Sequence, residues 1–197
     1  MKLLTESDLR ALCLPVGFAL QLPAGTQLSP AAREYCTERS ITVTFTKPEH
    51  MTHLHGDVLV PKTDPRIHLR GKLDSLQAQF LLGIAQANEL GRADYAADLG
   101  ECFALAQAIM AAEVKEAPLP PPSLLGMDSA ALRRASHEHY VEPHAGMGGL
   151  CLALNALRTQ VRETELAACA LDRLDLIEAL NRMSSAVYLL FLKEQAT

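Results

Sequence analysis

The sequence predicts a mainly α-helical protein, in which a four- or five-helix antiparallel bundle follows a small N-terminal α/β unit. Apolar residue types make up 49% of the 197 residues but aromatic types only 5%, so the core must be built mostly from Leu, Ala, Val and Ile. Ala and Leu are good helix formers. The pattern becomes helical from about residue 65, whereas the residues before it form only short segments. We therefore expect two domains, residues 1–60 as an α/β unit and residues 61–197 as the bundle.

Short elements are predicted in the N-terminal unit. Residues 18–22, 41–45 and 57–60 read as strands, because β-branched and aromatic side chains alternate there or apolar residues form a short run. Ser29 followed by Pro30 is typical of a helix start, and that helix should reach about residue 39.

Five helices are predicted in the rest of the chain. The first covers residues 65–90 and ends at Gly91, a residue that often follows a helix end. The others cover residues 92–115, the segment from Asp128 to about residue 140, residues 150–171, and the segment from Asp172 or Asp175 to about residue 194. The Pro-rich run 117–122 and the Gly-containing run 142–149 are loops. Short connections between helices favour an antiparallel bundle.

Composition excludes several classes of protein. A net charge of −5 argues against a general nucleic-acid binder. No apolar run reaches the roughly 20 residues that cross a bilayer, and charges occur too early for a signal peptide, so we expect a cytoplasmic protein. The five cysteines form no C-x-x-C pair, which predicts reduced thiols rather than a zinc ribbon. Neither common nucleotide-binding loop is present.

The segment 61–72 is the most basic part of the chain. It precedes and opens the first bundle helix, and helix N-termini attract phosphate groups. One interpretation is therefore an anion site; the other is a solvated helix face with an Arg70–Asp74 ion pair. The basic side chains are Lys62, Arg66, Arg70 and Lys72.

Polar side chains on the last two helices lie close to the apolar faces. Arg162 lies beside the apolar face of its helix, and an unpaired buried guanidinium is costly. Asp74 is a candidate partner; the alternative is a surface ladder of Arg158, Arg162 and Glu165. On the last helix, Asn181 notches the edge of the apolar stripe, which suggests a polar ligand between the helices.

Histidines cluster twice. His50, His53 and His55 could bind a metal, but they lack paired cysteines, so exposed loop histidines are the favoured interpretation. The second cluster, on a helix end and loop, is expected to line a pocket in which Tyr140 and Val141 form an apolar wall. Its members are His137, His139 and His144.

Five short motifs, in order along nearly the whole chain, resemble the cobalamin adenosyltransferases, and most closely the ethanolamine-utilisation branch of that family. Two of them are V-R-E-T-E at 161–165 and L-N-R-M-S-S at 180–185. The other three are L-P-x-x-x-x-L-S-P-x-A-R-E-Y at 22–35, K-T-D-P-R at 62–66 and L-D-S at 73–75.

The resemblance implies a transferase that moves the 5′-deoxyadenosyl group of ATP to the cobalt of reduced cobalamin and releases triphosphate, with Mg²⁺ accompanying ATP. It also implies a helical bundle that oligomerises and binds ATP near a subunit boundary. By motif, Asp74, Arg162 and Glu165 would serve catalysis, Lys62, Thr63, Arg66, Arg70 and Asn181 would bind ATP and its phosphates, and His139, Tyr140 and Val141 would face the corrinoid.

The resemblance further implies a homo-oligomer, with a trimer usual in related bundles and a dimer as the alternative. It implies an adenosylcobalamin-dependent lyase, ethanolamine ammonia-lyase, as recipient of the product, in the cytoplasm and in association with a bacterial microcompartment. Many members of this branch carry a His and a Cys-Cys-x-x-Cys cluster before the T-H-L that matches residues 52–54. This chain lacks those cysteines, so we expect no structural transition-metal site. The competing hypothesis is a non-catalytic corrinoid carrier or scaffold.

Overall fold

The fold is known from a computed structural model, which describes residues 2–56 and 58–196. Within these ranges it contains seven helices and six short strands, so the predicted mainly α-helical fold class is confirmed. The chain divides into two compact units between Lys62 and Thr63. None of the helices in the described ranges is both long enough and apolar enough to cross a membrane.

The first unit contains three two-stranded sheets and two helices. In chain order the elements are β1 (Lys2–Leu4), α1 (Glu6–Ala11), β2 (Ala19–Pro23), β3 (Thr26–Leu28), α2 (Pro30–Glu38), β4 (Thr42–Thr46), β5 (Met51–His55) and β6 (Val58–Pro61). Strands β1 and β3 pair in parallel, as do β2 and β4, and β5 pairs with β6 in an antiparallel hairpin. A small apolar core, which includes Leu9, Ala32 and Tyr35, holds the unit together.

Four of these eight elements are predicted by the sequence and four are not. It predicted β2, α2, β4 and β6, although Asp57, the first residue of the predicted last strand, lies outside the described residues. It missed β1, β3, β5 and α1, all of which are six residues or shorter. Helix α1 nevertheless carries a readable signal, because Thr5 and Asp8 cap its start reciprocally.

The second unit contains the remaining five helices. In chain order the helices are α3 (Pro65–Glu89), α4 (Ala93–Lys115), α5 (Ser129–Ala135), α6 (Gly149–Ala168) and α7 (Leu174–Gln195). Helices α3, α4, α6 and α7 pack around one apolar core, which includes Leu73, Phe80, Leu154 and Phe191, and the short α5 packs on α7. Helix α3 begins after Asp64, whose carboxylate accepts the backbone N–H of Arg66 at 2.9 Å.

Three predicted helix ends are wrong. Helix α5 ends at Ala135 instead of near residue 140, because Ser136 and His137 both bond through their side chains to the carbonyl of Arg133. Helix α6 ends at Ala168 rather than at residue 171, and α7 begins at Leu174 rather than at an aspartate cap. As a result, residues 136–148 form a loop between α5 and α6, here called the pocket loop.

Candidate functional site

A cavity of about 680 Å³ opens between α5, the pocket loop, α6 and α7. Each wall comes from a different element, so the cavity exists only in the folded bundle. The cavity is lined by Arg133, Ser136, His137, His139, Tyr140, Val141, Pro143, Asn155, Arg158, Arg162, Asn181, Arg182, Ser184, Ser185 and Tyr188.

The cavity brings together five of the residues to which the resemblance assigned a role. Arg162 comes from α6 and Asn181 from α7, while the pocket loop contributes His139, Tyr140 and Val141. The expectation of a polar notch on α7 facing the arginine-bearing helix thus has a geometric counterpart. The roles assigned to the five residues stay predictions.

The pocket loop is attached to α7 through Tyr188. The hydroxyl of Tyr188 donates to the carbonyl of His139 at 3.1 Å and accepts the backbone N–H of Val141 at 3.3 Å. Val141 packs partly buried against the main core, whereas Tyr140 is 84% exposed. Of the two candidates for an apolar wall, Val141 is therefore the one that the fold fixes in place.

The charge on the residues that line the cavity is positive. Four arginines line it, and no aspartate or glutamate is among its lining residues. Among the described residues, no ion pair involves any of the four. We call Arg133, Arg158, Arg162 and Arg182 the arginine cluster.

Two carboxylates act on the arginine cluster without an ion pair. Glu165 is half-buried on α6, and desolvation raises the pKa of its carboxyl, although Arg162 and Arg182 oppose this shift. Burial, and then repulsion from Arg133, lowers the pKa of Arg182, while Glu165 and the exposed Glu178 partly offset the decrease. The cavity therefore keeps a net positive charge.

The predicted phosphate-binding segment has a different surrounding. Arg66 and Arg70, on the first turns of α3, donate through their Nε atoms to the two carboxylate oxygens of Glu113 on α4, each at 2.5 Å. Arg66 also donates to the carbonyl of Glu113 at 2.8 Å and pairs with Glu116. These contacts hold the start of α3 against the end of α4, and the two carboxylates already neutralise the charges of Arg66 and Arg70.

Other predicted site residues are separate from the cavity lining. Lys62 is the last residue of the first unit and Thr63 the first of the second, and both are exposed. Asp74 is exposed on α3, and among the described residues no ion pair joins it to Arg162. The ion pair between α3 and α6 at this place joins Lys72 to Glu163, at 3.0 Å.

Four residues that surround these sites escaped sequence reasoning. Glu113 had a signal, because it continues the buried α4 positions Ala106 and Ile109 at helical spacing. Arg182 lies inside the second helical motif, but the motif match assigned a role only to its neighbour Asn181, and Tyr188 lies just beyond that motif. The fourth, Arg133, lies on α5, outside the five matched motifs.

The first histidine cluster shows no metal-binding arrangement. His53 and His55 lie on strand β5 rather than in a loop, all three of these histidines are exposed, and the ring of His53 bonds to the carbonyl of Gly56 at 3.0 Å. No group of three or more His, Cys, Asp or Glu side chains within residues 2–56 and 58–196 is placed to hold a metal ion.

Comparisons with known proteins agree with the motifs. The family model described as cobalamin adenosyltransferase matches residues 42–194. The corrinoid adenosyltransferase EutT of Salmonella typhimurium strain LT2 is 29% identical, and that of Escherichia coli strain K12 is 28% identical; each match covers 96% of this chain and 91% of the relative. No solved structure matches the chain significantly. The predicted resemblance is confirmed, and the chain belongs to the cobalamin adenosyltransferase family.

Proposed function

We propose that this protein is an ATP:cob(I)alamin adenosyltransferase of the ethanolamine-utilisation type. It transfers the 5′-deoxyadenosyl group of ATP to the cobalt of reduced cobalamin and releases triphosphate. The observation that carries the proposal is the cavity between α6, α7 and the pocket loop, which unites Arg162 and Asn181 from two separate family motifs. The family model spans the same elements.

The reaction explains why the cavity needs no side-chain nucleophile. The cobalt of cob(I)alamin supplies an electron pair that forms a Co–C bond at C5′ of ATP. The C5′–O bond breaks, and its electron pair leaves with the triphosphate. The protein must align the two reactants and stabilise the charge that collects on the leaving group. A cavity lined by arginines and without carboxylates suits the second task.

Individual side chains can then be assigned. Asn181 offers amide groups to ATP, and Arg162 offers a guanidinium to the reacting region. Glu165, close enough to influence Arg162 and Arg182 electrostatically, orients these basic side chains. Val141, held by Tyr188, supplies the apolar surface that excludes a lower axial ligand from cobalt, with Tyr140 and His139 beside it.

The proposed roles on α3 depend on rearrangement to different degrees. Lys62 and Thr63 are exposed and can meet phosphate oxygens as they stand. Arg66 and Arg70 would first have to exchange Glu113 for phosphate. Asp74, exposed on α3, is proposed to meet Arg162 of a neighbouring copy in the trimer or dimer that the resemblance implies.

The described residues do not fit an all-protein Mg²⁺ site, because no carboxylate lines the cavity. Mg²⁺ is therefore proposed to arrive with ATP on its phosphate oxygens, and we assign it no step. We further propose that residues 61–197 form the catalytic domain and residues 1–60 a separate domain. The product would serve an adenosylcobalamin-dependent lyase, ethanolamine ammonia-lyase, in the cytoplasm and near a microcompartment.

The proposal is tested by mixing the protein with cob(I)alamin and ATP under anaerobic conditions and recording the visible spectrum. We expect the light-sensitive spectrum of adenosylcobalamin and one triphosphate per product. Arg162→Ala should reduce turnover strongly without loss of helical circular dichroism. The matched control is Arg134→Ala, an exposed arginine outside the cavity lining. Corrinoid binding without product would favour the non-catalytic carrier and refute the proposal.

A further inference from the structure

The arginine cluster contains more positive charge than the family motifs explain. The motifs assign only Arg162, whereas Arg133, Arg158 and Arg182 line the same cavity without an assigned role. Elsewhere in this unit, half-buried arginines have acidic partners: Arg66 has Glu113 and Arg173 has Asp175. Arg158 and Arg182 are half-buried without such a partner and therefore require a separate explanation, and the exposed Arg133 lines the same cavity.

Arg182 carries the clearest signal. Its Nη2 group donates to the amide oxygen of Asn181 at 2.9 Å, but its Nη1 group is buried and has no hydrogen-bond partner among the described residues. A buried guanidinium nitrogen without a partner costs free energy. The carboxylates that influence Arg182, Glu165 and Glu178, act only through space. The side chain is thus half-buried with one face unsatisfied.

Arg133 and Arg158 extend the positive surface on two other walls. Arg158 is oriented by the amide oxygen of Asn155, at 3.1 and 3.3 Å, and lies over the ring of Tyr188 at 5.6 Å. Arg133 projects from α5 and is close enough to repel Arg182. Three guanidinium groups on three helices, each turned to one cavity, repel one another until an anion lies between them.

We propose that Arg133, Arg158 and Arg182 bind the polyphosphate of the nucleotide substrate and retain it as the leaving triphosphate. This inference rests on the proposed function and adds three ligands to which the motif match assigned no role. Charge selects the ligand: a triphosphate carries several negative charges, whereas the corrinoid carries one phosphodiester among neutral amides. Planar guanidinium groups match phosphate oxygens in geometry as well as charge.

The attachment of Arg133 to α5 has a consequence for substrate binding. Helix α5 leads directly into the pocket loop, because Ser136 and His137 close its last turn. A polyphosphate that joins Arg133 to Arg182 would therefore tie α5 to α7 at the point where the loop leaves.

The first experiment measures binding of inorganic tripolyphosphate by isothermal titration calorimetry, without corrinoid or turnover. We expect Arg133→Ala and Arg182→Ala each to weaken binding about ten- to hundredfold, as loss of a charge-assisted hydrogen bond does. Arg134→Ala is the matched control on α5 and should bind like the unaltered protein. Equal affinity in all four proteins would overturn the proposal.

A second arm identifies the source of the phosphate. Adenosylation of cobalamin is compared with that of cobinamide, which lacks the nucleotide loop and its phosphodiester. We expect Arg133→Ala and Arg182→Ala to raise the KM for ATP about equally with either corrinoid. A rise in KM for cobalamin alone, with the KM for ATP unchanged, would assign the arginines to the corrinoid and overturn the proposal.

The variants remain interpretable if folding or function fails. Arg133 is exposed, so its replacement leaves the core intact, and Arg182→Lys keeps the charge if Arg182→Ala disrupts α7. Arginine-dependent tripolyphosphate binding without any adenosyl transfer would support the anion site and refute the enzyme. Adenosyl transfer with arginine-independent tripolyphosphate binding would refute the anion site and leave the enzyme standing.

Discussion

Replacement of Glu113 by Gln should destabilise the bundle more than any other single loss of charge in it. The carboxylate of Glu113 is only 2% exposed and bonds to Arg66 and Arg70 at the same time, through Nε atoms at 2.5 Å. Gln keeps the size and one oxygen of the side chain, but it removes the charge. Two arginines would then face each other across a neutral amide.

The magnitude follows from burial. Removal of one partner from a fully buried ion pair costs about 3–5 kcal/mol, because a charge is left without compensation. Here the two arginines are 21% and 17% exposed, so water can partly solvate them and the lower limit applies. We expect Glu113→Gln to reduce the free energy of unfolding by about 3 kcal/mol. Glu116 provides the control, because it is 60% exposed and such pairs contribute at most about 1 kcal/mol.

The assay is urea unfolding followed by circular dichroism at 222 nm, for the unaltered protein, Glu113→Gln and Glu116→Gln. Equal slopes against urea would show that the change lies in stability and not in the amount of surface exposed. An equal or smaller loss of stability in Glu113→Gln than in Glu116→Gln would contradict this prediction. That result would mean that the arginines are solvated as easily without the carboxylate as with it.

Three further predictions concern acid sensitivity, thiol reactivity and the pocket loop. A hydrogen bond from Arg173 holds the pKa of Asp175 far below its ordinary value. The stability that the Asp175 carboxylate contributes is thus complete above about pH 4 and is lost as the pH falls further. Thermal unfolding should show Asp175→Asn less stable at pH 7, with a smaller difference at pH 3. Iodoacetamide followed by mass spectrometry should label the exposed Cys13 and Cys169 but not Cys102, whose burial raises its pKa. Tyr188→Phe removes the hydroxyl that binds the pocket loop; it should lower kcat for adenosylation about tenfold, the value of roughly one hydrogen bond, and leave the KM for ATP unchanged.

The sequence predicted the helices of the bundle well because their signals are local. Pro65 after Asp64 and Gly91 after α3 mark the two ends of a helix of 25 residues. The strands of the first unit were harder, since β1 and β3 have three residues each and are defined by pairing with each other. A three-residue strand has no periodicity to read, and its partner lies more than twenty residues away.

The residues of the candidate site also differ in whether their signals are local in the sequence. Arg162 and Asn181 could be found because each sits in a recognisable motif and notches an apolar face. Arg133 could not, because its place in the cavity depends on where α5 ends, and that end is set by two side-chain bonds to a single carbonyl. The partner of Arg66 was missed for a related reason, since Glu113 is 47 residues away in the chain.

Two basic regions could bind phosphate, the start of α3 and the arginine cluster, and they differ in whether an acidic side chain already occupies the arginines. For Arg66 to bind phosphate, the buried Glu113 must give up one of its two arginine partners, whereas Arg182 already has a buried nitrogen without a hydrogen-bond partner among the described residues. The binding of phosphate is more favourable in free energy where no carboxylate has to be displaced. Arg66→Ala should therefore lower the free energy of unfolding but leave the affinity for tripolyphosphate within about twofold. Arg182→Ala should instead weaken tripolyphosphate binding and leave the free energy of unfolding nearly unchanged. If Arg66→Ala instead abolishes tripolyphosphate binding in a protein that remains folded, phosphate does displace Glu113, and the segment that the sequence first indicated is the site.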